Sequence, residues 1–192
     1  IAVFIGVALN QASFDENLSP WDTSAVTRTR AMFQGASQYD NGGAPLTFDT
    51  GSVTDMYLMF VNAQAFNQPI VFDTSRVTDM GSMFNGAAAF DQPLAFDVSR
   101  VVKLFPSSDD MFAMFDGTSL SDCNRRAIED SLSVFPDWPY DWASYCPAPT
   151  APTSASPTTG AAAADCTDAP TAAPFQPVLA MAGGNPGLAN LT

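Results

Sequence analysis

Histidine is absent from the 192 residues, and cysteine occurs only at Cys123, Cys146 and Cys166. Without His, the commonest general base and metal ligand is missing, and a Ser-His or Cys-His dyad is impossible. A zinc site would have to use Cys and carboxylates alone, an uncommon set. Basic residues are scarce as well: 7 Lys and Arg stand against 20 Asp and Glu, a net charge of −13. Such a surface repels phosphate backbones and anionic lipid, which argues against nucleic acid or a membrane surface as partner. No apolar run reaches the roughly 18 residues of a membrane helix, so no membrane insertion is expected in this piece. The chain is expected not to be an enzyme, with no catalytic residue, no cofactor and no metal site. An odd Cys count permits one disulfide with one thiol left over.

The chain is rich in repetition. Phe48-Asp49-Thr50-Gly51-Ser52-Val53-Thr54-Asp55-Met56 and Phe72-Asp73-Thr74-Ser75-Arg76-Val77-Thr78-Asp79-Met80 are near copies 24 residues apart. Each continues through a Met-Phe pair (Met59-Phe60, Met83-Phe84), and the pattern is legible again from Trp21-Asp22 and from Phe96-Asp97. A fixed period of this length predicts a repeat solenoid in which each coil covers the apolar face of its neighbour. Ile70 and Phe72 alternate around Val71, as in a strand with one buried face. Asp73-Thr74-Ser75 is turn chemistry, in which the carboxylate accepts a backbone N–H two residues on. Val77 and Met80 are expected to point inward, and Gly81 to Asn85 to form a short helical or 3₁₀ turn that drives Met83 and Phe84 into the core.

The chain starts at Ile1 and reads as an internal piece of something longer. Aligning Val3-Phe4-Ile5-Gly6-Val7 with Met32-Phe33-Gln34-Gly35-Ala36 and Met83-Phe84-Asn85-Gly86-Ala87 makes it open inside a repeat. The other reading of this apolar stretch is a trimmed signal segment. Gly42-Gly43-Ala44 reads as an insertion, and so does the stretch around Phe105 to Asp110. Such insertions bulge as loops, on the binding face or by neutral drift.

Four segments follow from these patterns: a solenoid of about five coils, the first incomplete, over 1–117; a C-terminal cap over 118–146; a Pro/Thr/Ala-rich linker over 147–174; and a disordered or truncated segment over 175–192. The cap is expected to hold a helix from about Asp122 to Ser133 with Ala127, Ile128 and Leu132 along one face, then an aromatic lid from Trp138 to Trp142. Cys123 and Cys146 bracket this segment and are expected to form a disulfide, which would stabilise by about 2–4 kcal/mol. Cys166 falls in the linker and is expected to be free or paired between chains.

Asp22, Asp49, Asp73 and Asp97 recur once per repeat. Carboxylates roughly 5 Å apart repel by about 1–3 kcal/mol, so something must offset them. Backbone N–H groups of the turn are the expected answer, and a row of calcium ions the alternative. Thr23, Thr50 and Thr74, with Thr27, Thr54 and Thr78, form broken rows that suit turns and strands or, on a flat face, ordered water. Asn17-Leu18-Ser19 and Asn190-Leu191-Thr192 are glycan acceptor sequons, the first weakened by Pro20.

The string Asp73-Thr74-Ser75, Val77-Thr78-Asp79-Met80, Met83-Phe84 and Phe66-Asn67-Gln68 resembles the repeat of BspA-like leucine-rich-repeat surface proteins of mycoplasmas, other bacteria and marine protists. The resemblance runs over roughly residues 3–117. Leu120 to Asn124, Trp138-Pro139-Tyr140 and Cys146 are similar to the closing segment of algal members. It implies leucine-rich-repeat-like right-handed coils with short strands and short helical turns. It also implies an extracellular or cell-surface location, and a non-enzymatic recognition or adhesion role toward a protein or glycan partner that it does not identify. A structural spacer in a larger extracellular protein, or the non-catalytic part of an enzyme, are the alternatives.

Overall fold

The structure is a computed structural model that describes residues 2–102, 113–135 and 138–145. The stretch around Phe105 to Asp110, Cys146, Cys166, Asn190, the linker and the final segment lie outside the described residues.

Regular elements are few. Strand β1 (Ala2–Val3) pairs in parallel with β2 (Val26–Arg28), Asn41–Gly43 forms a 3₁₀ turn, and helix α1 (Asp122–Leu132) follows the last repeat. Isolated parallel bridges join Arg28 to Asp55, Asp55 to Asp79, and Leu46 to Ile70. Most of the order lies instead in backbone bonds from one repeat to the next. The amides of Phe4, Gly6, Ala8 and Asn10 donate to the carbonyls of Arg28, Arg30, Met32 and Gln34. Thr29, Ala31, Phe33 and Gly35 donate in turn to Asp55, Tyr57, Met59 and Val61. Met56, Leu58, Phe60 and Asn62 donate to Asp79, Gly81, Met83 and Asn85. In a trans peptide the C=O points opposite to the N–H. Each bonded peptide therefore continues the line of the one before it, and four columns of aligned peptides run across the repeats. A further set of bonds, from Thr54 N–H to the Thr27 carbonyl, Thr78 to Thr54 and Val102 to Thr78, passes through both peptides of each Thr and runs the opposite way.

These bonds correct the alignment of the first repeat. Ala8, not Phe4, donates to Met32 as Phe33 does to Met59 and Phe60 to Met83, so the true register lies four residues further on. Val3-Phe4-Ile5-Gly6 imitates the Met-Phe-x-Gly string without occupying its place. Gly6 accordingly matches Ala31, Leu58, Ser82 and Ala113, whereas Asn10 matches Gly35, Asn62, Gly86 and Gly117; all ten have positive φ. Two left-handed residues per repeat, four apart, stand in place of the short helical or 3₁₀ turn expected over Gly81 to Asn85. At the second of them Asn and Gly alternate over the first four repeats, for a steric reason. A Cβ on Gly86 would fall 2.3 Å from Asn62 Oδ1, and one on Gly35 would fall 2.4 Å from Asn10 Oδ1.

The core is two rows of stacked rings. Phe33, Phe60, Phe84 and Phe115 follow at centroid spacings of 5.3, 5.4 and 5.8 Å. Phe14, Tyr39, Phe66 and Phe90 follow at 5.6, 5.8 and 6.1 Å. Within a repeat the rows touch at 3.9 to 4.3 Å, through Phe33–Tyr39, Phe60–Phe66 and Phe84–Phe90. Near-parallel offset rings of this kind add roughly 0.5–1.5 kcal/mol per pair beyond burial. Ile70, Phe72, Val77, Met80 and Met83 are buried beside them, while Val71 is 72% exposed.

Helix α1 starts where the sequence places it: Ser121 Oγ accepts the Asn124 N–H at 3.4 Å. Its inward face differs from expectation, because Asn124, Ile128 and Leu132 are buried and Ala127 is only half-buried. The polar Asn124 belongs on that face because it bonds to Asp91, as described below.

Candidate functional site

The four recurrent carboxylates sit on turns. Asp22 Oδ1 accepts the Ser24 N–H at 3.1 Å, Asp49 that of Gly51 at 3.1 Å, Asp73 that of Ser75 at 3.0 Å, and Asp97 that of Ser99 at 2.8 Å. Hydrogen bonds from the Ser24 hydroxyl and amide hold the Asp22 carboxyl below the ordinary range, and those of Ser99 do the same for Asp97. Each turn thus uses one oxygen of its Asp, and all four residues keep solvent contact. No group of three or more Cys, Asp or Glu among the described residues is placed to hold a metal ion.

The first Thr row is internal, which removes it as a water-ordering face. Thr23, Thr50 and Thr74 are buried, and their hydroxyls donate at 3.1 Å to the carbonyls of Asp49, Asp73 and Asp97. Thr23 and Thr74 also accept the Asp49 and Asp97 amides at 2.8 Å, so these hydroxyls tie one turn to the next. In the second row, Thr54 Oγ1 donates to the Thr27 carbonyl and Thr78 Oγ1 to that of Thr54.

A further ladder has no counterpart in the sequence reading. The residue after each ring of the second aromatic row is Asp15, Asp40, Asn67 or Asp91. Asp15 Oδ1 accepts the Asp40 N–H at 2.7 Å, Asp40 Oδ1 that of Asn67 at 2.8 Å, and Asn67 Oδ1 that of Asp91 at 2.9 Å. Asp91 Oδ1 then receives Ser121 N–H at 2.8 Å, Ser121 Oγ at 2.9 Å and Asn124 Nδ2 at 2.7 Å. The same ladder that links repeats therefore also holds the helix. Burial pushes the Asp91 carboxyl up, but the donors from Ser121 and Asn124 and the charge of Arg125 outweigh it and leave it below the ordinary range. The recurrent aromatic-Asx pair was the signal that could have revealed this row.

The Gly42-Gly43-Ala44 insertion is anchored rather than loose. Asn41 is fully buried; its Oδ1 accepts the Leu18 amide at 2.8 Å and its Nδ2 donates to Ser19 Oγ and to the Ala44 and Pro45 carbonyls. Asn17 of the sequon is exposed, and its Oδ1 accepts the Ser19 N–H at 2.9 Å.

At the far end, Phe115 meets Trp138, Tyr140 and Trp142 at 6.4, 6.0 and 5.7 Å. Tyr140 Oη accepts the Phe115 N–H and donates to Asp116 Oδ1, both at 3.0 Å, which closes one peptide column. Trp138 Nε1 and the Trp142 amide donate to the buried Glu129 carboxylate. Cys123 is disulfide-bonded, and its partner falls outside the described residues. On the flank, the Arg30 guanidinium lies 4.1 Å over the Tyr57 ring and 3.7 and 3.9 Å from the carboxylates of Asp55 and Asp79. No helix among the described residues is long and apolar enough to cross a membrane.

A family model described as Mycoplasma protein of unknown function, DUF285, matches residues 4–126. No curated protein and no solved structure matches.

Proposed function

We propose, for a chain that belongs to the DUF285 family of Mycoplasma proteins of unknown function, a non-enzymatic recognition or adhesion module displayed at a cell surface or secreted. In this reading the repeats form a right-handed, leucine-rich-repeat-like solenoid of the BspA type, and its periodic acidic row meets a protein or glycan partner. The observation that carries the proposal is the recurrence of Asp22, Asp49, Asp73 and Asp97 on solvent-facing turns, each with one oxygen committed to its turn. A regular row of charge on a rigid support favours specificity and fast association more than raw affinity.

Asn substitution separates charge from architecture here, because an Asn Oδ1 can still accept the turn N–H. The combined Asp49→Asn and Asp73→Asn chain should fold normally, yet lose binding to cationic peptides and glycans on an array. Unchanged binding in that variant would remove the acidic row from the proposal. Detection of the tagged protein only inside intact cells would remove the surface assignment. The uninterrupted aromatic rows favour a second reading, a stiff spacer in a larger extracellular protein, which would show no array binding at all.

A further inference from the structure

We infer that the edge of the first repeat is an acceptor face built to take one further polypeptide coil of the same motif. Among the described residues, five of the eight large hydrophobic side chains left exposed gather there: Val3, Ile5, Val7, Leu9 and Trp21, each 38–53% exposed. The amides of Gly6, Ala8 and Asn10 are spent on the second repeat, so their peptides aim the carbonyls of Ile5, Val7 and Leu9 the other way. None of these carbonyls accepts a hydrogen bond among the described residues. The amides of Asp15 and Asp22 have no acceptor there either, although the equivalent amides of Asp40 and Asp49 are held by the preceding repeat's Asp15 and Thr23.

The edge thus offers alternate acceptors at 5, 7 and 9 and donors at 15 and 22, in the order found between later repeats, where the amides of Asp40 and Asp49, and again of Asp91 and Asp97, are held in the same way. That pattern selects its occupant. A second copy turned face to face would set carbonyl against carbonyl. A second copy approaching with its other end meets α1 and the aromatic lid, where Tyr140 already holds the Phe115 amide. A coil with the repeat's own spacing supplies every complement: amides at the positions of Leu58, Phe60 and Asn62, an Asx oxygen at that of Asn67, and a Thr hydroxyl at that of Thr74. This inference stands on the inter-repeat bonds and is independent of any ligand on the acidic row.

The test joins a copy of residues 54–77 directly ahead of Ala2 in the full chain, which preserves the register of the joints. Hydrogen exchange at the Asp15 and Asp22 amides should slow by at least about tenfold, since these groups pass from solvent into the ladder. Binding of a hydrophobic dye to the edge should fall with it. A copy carrying the equivalents of Asn67→Ala and Thr74→Ala should lose the protection at both amides while the protection of Asp40 and Asp49 persists. Unprotected Asp15 and Asp22 amides in the extended chain would overturn the inference. So would a parent chain that sediments as a dimer with those two amides already protected.

Discussion

Asn67 and Asp73 look alike on paper, each a short polar side chain repeated once per turn of the pattern, yet the bonds they make assign them opposite sensitivities. Asn67 Oδ1 accepts the Asp91 amide and the Gln92 Nε2 of the next repeat. Asn67→Ala leaves a half-buried amide without its acceptor and should cost about 1–3 kcal/mol by denaturant titration. Asp73→Asn keeps its acceptor and should stay within about 0.5 kcal/mol of the parent. Asp91 adds a dependence on pH. Its carboxyl is held below the ordinary value by Ser121, Asn124 and Arg125. The stabilisation it gives the helix is therefore fully present above its unfolded value near roughly pH 4, and is lost as pH falls through the lower folded value. Acid titration followed by Trp138 and Trp142 fluorescence should show the cap loosening below that point. Asp91→Asn, which cannot ionise, should flatten the transition. The acid loosening persisting unchanged in Asp91→Asn would assign it to other groups.

The ring rows and the helix are the elements whose outlines were legible in the sequence, for different reasons. The Met-Phe pairs recur at a fixed spacing, and a side chain that repeats in an apolar context has little choice but the shared core. Phe84 lies between Phe60 and Phe115 and against Phe90. Phe84→Ala should cost about 3–5 kcal/mol in chemical denaturation, while Val71→Ala on the exposed face should change little. The helix announced itself through Ser121 and the apolar spacing of Ile128 and Leu132, but the whole of its inward face did not. Asn124 is buried because Asp91, a residue of the preceding repeat, reaches it, and no local period carries that information. The register of the first repeat failed similarly. Val3-Phe4-Ile5-Gly6 satisfies the string, and only the column of amides shows that Ala8 occupies the buried ring position. Part of the left-handed pair was legible, since Gly6, Gly35 and Gly86 suit positive φ and adopt it; the rest was not, because Ala31, Leu58 and Ser82 are residues no turn rule would select for it. Gly86→Ala should destabilise by more than an exposed glycine would, because its Cβ would meet Asn62 Oδ1. Relief of that cost in Gly86→Ala combined with Asn62→Gly would identify the contact as the cause.

At the scale of the whole molecule, the question is how a chain of net charge −13 keeps a row of carboxylates in register. One answer is an ion held between the turns; the other is that each turn neutralises its own Asp locally. The geometry favours the second. Asp22, Asp49, Asp73 and Asp97 each spend an oxygen on an amide two residues on, and the Asp49, Asp73 and Asp97 turns are each tied to the preceding turn by a Thr hydroxyl. The two answers differ in their response to salt. Diffuse repulsion is screened by any electrolyte, with a Debye length near roughly 10 Å at 0.1 M. Monovalent salt should therefore raise the melting temperature, and calcium at matched ionic strength should raise it no further. A bound ion would instead give saturable heat in calorimetry and a rise of several degrees at micromolar to millimolar calcium, reversed by chelator. The expected result is equal melting temperatures in the two electrolytes and no saturable heat. An excess of several degrees in calcium would place a metal on the Asp row and make recognition calcium-dependent.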